Sequence, residues 1–278
     1  MKTVVIVRPP PSGPGAGASW ANPTAVAFTK CFTRLGWQVN ETTERIAAPG
    51  DVIAGYGWRP VIREAWERWP ERIIHTDAAW WRRDRYLKLA HGDRWSPFTG
   101  RDYPDNRLRD FGIKILPSRL PGKRVLVCGM SEKHAGTIGL MAEQWERDAV
   151  RRLLAAGAVV TYRPKPNWPG ARPIPGSTFD RGGTIVEALS RVDAVVSHHS
   201  NCAVDAAVYG VPFFVETSLA KPLSVSTIED AIGATASDIE TRRRFCAEVA
   251  WHQWSISEIS EGAWLRQPAP LANHPLFA

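Results

Sequence analysis

One pattern constrains this chain more than any other: short β-branched runs alternate with stretches of helical periodicity along nearly its whole length. Thr3–Val7 reads as a strand. Ala25–Leu35 puts Phe28, Phe32 and Leu35 on one helical face and stops at Gly36, and Trp37–Val39 opens a second strand. Asp51–Ala54 and Arg72–His75 are predicted strands with Val61–Trp69 helical between them. The pattern pauses from about Arg82 to Pro117, a stretch rich in Arg, Asp, Gly and Pro. It resumes with Arg124–Cys128 as a strand, Glu143–Ala156 as a helix presenting Trp145, Ala149 and Leu153, and Ala158–Tyr162 as a strand. Thr184–Arg191 (helix), Asp193–Ser197 (strand), Cys202–Tyr209 (helix) and Val211–Val215 (strand) follow, then helical periodicity from about Thr241 to Leu265. Parallel β-α units produce this alternation. The expected fold is therefore α/β: two Rossmann-like, doubly wound domains facing across a cleft. They span 1–117 and 118–250, with a C-terminal helical segment at 251–278. In such sheets ligands lie at the carboxyl ends of the strands.

Composition narrows the class. With 278 residues, 44% hydrophobic and 23% charged, the chain is neither disordered nor a disulfide miniprotein. No apolar run approaches the roughly 18 to 20 residues of a membrane span. The opening Met1–Arg8 reads as a first strand and not a signal peptide. Cys31, Cys128, Cys202 and Cys246 are scattered without metal spacing, as expected of buried thiols in the cytoplasm. The net charge of +7 is unevenly placed. Residues 1–117 hold 18 Lys/Arg against 12 Asp/Glu and eight of the 13 tryptophans. That half suits a polyanionic or stackable partner, or it is a solvated basic face over core tryptophans.

The sharpest segment runs from Asp193 to Val215. A buried strand ends at Ser197, and His198, His199, Ser200 and Asn201 lead into a helix of small residues. A Gly-Val-Pro turn opens the next strand. A helix start offers backbone N–H groups to a phosphate, and His198 or His199 can contact a diphosphate or a sugar hydroxyl. The alternative is a plain Ser200 cap with exposed histidines.

Strand, His-His-Ser-Asn, small-residue helix and Gly-Val-Pro together resemble the donor-binding half of GT-B-type glycosyltransferases. The likeness is to enzymes of bacteriophages, which modify DNA, and of surface polysaccharides. Val160-Thr-Tyr-Arg-Pro-Lys-Pro166 looks like the strand and turn before their donor site, with Lys165 where His is commoner. Val127-Cys-Gly-Met-Ser131 resembles their first strand-loop of the second domain, and Trp251–Gly262 resembles their C-terminal helix, which implies that 251–278 crosses back to the first domain. The resemblance covers about residues 120 to 265. It implies a nucleoside-diphosphate sugar such as a UDP-sugar as co-substrate, an inverting transfer to a hydroxyl, and no metal or other cofactor. Donor contacts would come from Gly129, Ser131, Arg163, Lys165, Glu187, His198, His199, Ser200 and Asn201, with Lys133 and His134 near the phosphates. Glu187 is equally a solvent-exposed helix residue.

The first half would then bind the acceptor and hold a base. Asp77 and His75 sit at the carboxyl end of a predicted strand; Asp77 is the first choice of base and His75 the second, unless Asp77 caps a helix. Trp80, Trp81, Arg82, Arg83 and Arg85 combine aromatic surface with cations able to grip phosphates and stack on bases, unless the tryptophans are core. Tyr56, Trp58 and Arg59 end another strand and can line the same cleft. The basic half points to DNA, with a hydroxymethylated pyrimidine as acceptor, flipped from the stack. A surface or lipid-linked saccharide is the alternative acceptor. From other classes come a non-catalytic nucleic-acid-binding protein with a decayed donor site, and a sugar-phosphate epimerase, which would need a carboxylate pair not found here. The glycine-rich Pro10–Ser19 fits no phosphate-loop pattern and is expected to be a mobile loop. No hydrolase elbow, HExxH or DxD-type motif is present.

Overall fold

The computed structural model of the chain describes residues 1–10, 20–92, 98–166, 168–266 and 268. The glycine-rich segment 11–19 lies outside the described residues. Two compact units emerge, one of Met1–Ser96 with Val249–Ala278, the other Pro97–Glu248.

The first unit opens with β1 (Thr3–Val7), α1 (Ala21–Arg34), β2 (Gln38–Thr42), β3 (Val52–Tyr56), α2 (Pro60–Arg68), β4 (Ile73–Ala78) and β5 (Tyr86–His91). The second holds α3 (Asn106–Asp110), β6 (Arg124–Cys128), α4 (Glu132–Thr137), α5 (Gln144–Ala155), β7 (Val159–Arg163) and β8 (Thr178–Phe179). It continues with α6 (Ile185–Ser190), β9 (Ala194–Ser197), α7 (Cys202–Val208), β10 (Phe213–Val215) and most of α8 (Ile239–Trp251). The chain ends in the first unit with β11 (Gln253–Ser255) and α9 (Ile256–Glu261).

In the first unit the sheet order is β11-β5-β4-β3-β1-β2. The four strands from β4 to β2 are parallel; β5 and β11 are antiparallel additions. Val4, Ile6, Val7, Ile53 and Ile73 are buried, with Phe28 and Phe32 of α1. Leu35, expected on that helical face, instead lies just past the end of α1 and is exposed. The second sheet is wholly parallel, in the order β10-β9-β6-β7-β8. Its strand order reverses between β6 and β9, which is where a doubly wound sheet opens a crevice for a ligand. Val125, Val127, Ala149, Leu153, Val160, Tyr162 and Val196 form the core there.

Three expectations need correction. The stretch read as pausing contains β5 and α3. The buried Lys88 interrupts the apolar pattern of β5, so periodicity alone conceals the strand. The terminal stretch is not one helix. Ser255 and Glu258 form a capping box that starts α9 afresh, leaving 253–255 free to pair antiparallel with β5. Finally, the boundary falls at 97 instead of 117. Residues 105–119 are tied to the second unit by Arg243–Asp105, by Leu116 N–H to the Val208 carbonyl, and by the buried Arg242 donating to the carbonyls of Leu116 and Ala207.

Candidate functional site

Most residues expected to contact a donor lie around the switch point of the second sheet. Cys128 stands opposite Ser197 on one side and Arg163 on the other, so β6, β7 and β9 end level. The turns Gly129–Ser131, Pro164–Lys165 and His198–Asn201 therefore leave the same sheet edge. The Ser131 hydroxyl caps α4 by accepting from His134 N–H at 3.3 Å. His134 lies against His199, ring centroids 3.6 Å apart. His198 meets the edge of Trp145 at 5.8 Å, and its carbonyl accepts from Thr217 N–H at 2.9 Å. Burial pushes the His198 imidazole below its ordinary range, against the opposing charge of Glu216.

Several expected donor contacts are committed to the fold. Arg163 is buried, its guanidinium paired with Asp180 at 2.8 Å and donating to the carbonyls of Gly182 and Gly183. Gly129 N–H donates to the Arg163 carbonyl, and Met130 N–H to the Glu146 carboxyl at 2.6 Å. Gly129 is small because a Cβ would stand 3.2 Å from Pro164 and Tyr162. Glu187 closes the capping box of α6 with Thr184, the exposed-helix alternative. At the start of α7, Cys202 N–H donates to the Ser200 hydroxyl and Val204 N–H to the Asn201 carbonyl, while the Asn201 side chain makes no capping bond.

Sequence reasoning missed Glu146, fully buried beneath the Gly129–Ser131 turn. Burial raises its carboxyl pKa, opposed by the Met130 hydrogen bond. A charged residue one position from Trp145 on an apolar helix face was the available signal. It also missed that His134, His198 and His199 form one cluster, because short α4 has no periodic signature.

On the first unit, Asp77 stands one residue before the end of β4, half-buried. One carboxyl oxygen accepts from Ala78 N–H at 2.7 Å, and the other is 4.0 Å from the ammonium of Lys88, its partner across the antiparallel pair. The same charge acts on Tyr56, whose hydroxyl pKa is raised by burial first and by Asp77 second. His75 is buried, edge-on to Trp58 at 5.5 Å. Arg59 donates to the carbonyls of Tyr56, Val7 and Arg8 and so ties together the ends of β1 and β3. Trp80 and Trp81 are core residues, and both backbone N–H groups donate to the Gln253 side chain. They form no exposed stacking platform; Arg82, Arg83 and Arg85 are exposed, with exposed Asp84 3.4 Å from Arg85.

The fold thus defined, α/β with two Rossmann-like units, is of the GT-B type. Among solved structures the chain is similar to the beta Kdo 2,4 transferase of Thermosulfurimonas dismutans KpsC, at 15% identity and a TM-score of 0.52 over 89% of both chains. It is also similar to the beta Kdo 2,7 transferase of the same KpsC, at 12% identity and a TM-score of 0.50, over 96% of this chain and 100% of that one. At such identities the likeness is one of fold. No protein-family model matches the chain. No curated protein matches it either. Among the described residues no helix is long and apolar enough to cross a membrane.

Proposed function

We propose that the protein is a glycosyltransferase that moves a sugar from a nucleotide donor to a hydroxyl acceptor, with the donor held on the second unit. The observation that carries this reading is the switch point, where strands ending level at Cys128 and Ser197 feed Ser131, His134, His198, His199 and Ser200 onto one edge. Breaking the sugar–phosphate bond leaves negative charge on the departing phosphate, which preorganised donors stabilise. The hydroxyls of Ser131 and Ser200 accept from backbone N–H groups, and that of Ser131 retains its proton to donate. Lys133 and Lys165 are exposed and bring positive charge. Asp77 is the proposed base: it takes the acceptor's hydroxyl proton as the oxygen bonds the anomeric carbon and the phosphate leaves, in one inverting displacement.

The acceptor proposed is a saccharide. The similar structures are named as Kdo transferases, and Trp80 and Trp81, the tryptophans expected to replace base stacking, are buried. Hydroxymethylated DNA is the second reading, favoured by exposed Arg82, Arg83 and Arg85 and the basic excess of residues 1–117. The test is to incubate the chain with a panel of nucleotide sugars and either oligosaccharides or hydroxymethylated duplex, and to weigh the products. A saccharide heavier by one sugar is expected. His199→Ala and Ser200→Ala should each cost about 5- to 150-fold in turnover, equivalent to about 1–3 kcal/mol. Wild-type nucleotide affinity and turnover in both variants would remove the donor assignment, and a glycosylated nucleoside would replace the saccharide by DNA.

A further inference from the structure

The three imidazoles at the switch point are placed as a chelating set, although the sequence led us to expect metal-free chemistry. One nitrogen from each of His134, His198 and His199 lies within 4.8 Å of the other two, and all three residues are half-exposed. They come from two elements, α4 and the β9–α7 turn, so the cluster is a product of the fold and not of a sequence motif. We propose that His134, His198 and His199 form a binding site for a borderline divalent transition-metal ion, Zn2+ in the first instance.

The geometry sets the cost of closing the site. Tetrahedral zinc with bonds of about 2.0–2.1 Å to nitrogen needs its ligand atoms about 3.3 Å apart. Closing an equilateral triangle of side 4.8 Å to that size moves each nitrogen inward by about 0.8 Å. Rotation of half-exposed imidazoles about their side-chain torsions supplies this, at the expense of the stacking of His134 on His199. The anchoring around the ligands is already built. Ser131 caps the turn that carries His134, and the edge of Trp145 and the Thr217 bond to its carbonyl hold His198. The donor set is nitrogen alone, without carboxylate or thiolate. It therefore selects Zn2+, Co2+, Ni2+ or Cu2+ over Mg2+ or Ca2+, which demand oxygen. Three protein ligands leave the fourth position to water or an anionic oxygen, the arrangement of an open zinc site.

This inference stands on the cluster and not on the transfer reaction, so its test needs no sugar. Full-length protein stripped with a chelator is titrated with Co2+, whose tetrahedral complexes absorb visibly. One equivalent per chain is expected, displaced by Zn2+ and indifferent to Mg2+. His134→Gln and His199→Gln should weaken Co2+ binding by about 100-fold or more, beyond what loss of a supporting residue costs. Unchanged circular dichroism and melting would show that both variants are folded. His91→Ala, outside the cluster, should bind as wild type. Absence of a cobalt band, or equal affinity in wild type and the two cluster variants, would overturn the site.

Discussion

Gln253 offers the most direct test of how the first unit is assembled. It lies fully buried on β11, and its side-chain oxygen accepts from Trp80 N–H at 2.8 Å and Trp81 N–H at 2.9 Å. Its amide nitrogen donates to the Val249 carbonyl at 3.3 Å. Those bonds fix the turn that follows Asp77. Gln253→Leu keeps the volume approximately but strands two buried donors. Each unsatisfied group costs about 1–3 kcal/mol, so the expected loss is about 2–6 kcal/mol. Urea unfolding followed on the first unit's tryptophans should show the midpoint falling with little change in slope. Hydrogen exchange at the Trp80 and Trp81 amides should accelerate in parallel. A Leu variant within about 0.5 kcal/mol of wild type, the range of an ordinary surface change, would refute the reasoning.

Asp77→Asn should retain nucleotide binding but lose about 100- to 10,000-fold in turnover, because the amide cannot accept the acceptor's proton; unchanged turnover would remove Asp77 as base. Arg163→Lys should lower thermal stability by about 3 kcal/mol, since one ammonium cannot span Asp180 and two carbonyls. Normal melting with lost nucleotide affinity would return Arg163 to the donor site. His252 is buried, and burial holds its pKa down to about 4 from 6.5 despite its hydrogen bond to the Leu89 backbone. The unfolded chain therefore binds the extra proton first as pH falls. This contribution is intact above pH 6.5 and is lost towards pH 4, by about 3 kcal/mol. Melting of wild type and His252→Asn across that window should show the variant less acid-sensitive; parallel curves would contradict this.

The second unit was more legible than the first, for a physical reason. Its central strands are buried on both faces and therefore read as unbroken aliphatic runs, such as Val125–Val127 and Ala194–Val196, with Gly157 and Gly210 marking where helices stop. The polar turn after β9 stood out against that background, so His198–Asn201 was visible before any coordinates. The first unit carries a buried Lys88 within β5 and a buried Gln253 on β11, and polar residues in a core look like surface until their partners are known.

By itself the sequence determined the parallel β-α architecture and most element positions, because these follow from local periodicity and turn chemistry. Tertiary structure decided which polar groups are already spent. Arg163 and Arg59 have the composition of anion binders, yet three-dimensional neighbours consume their donors. Trp80 and Trp81 have the composition of a stacking surface, yet Gln253, more than 170 residues away, draws their backbone inward. His134 gains significance only when α4 brings it beside His199, 65 positions later. Hydrogen bonding and burial are properties of pairs distant in the chain, and no local pattern carries them.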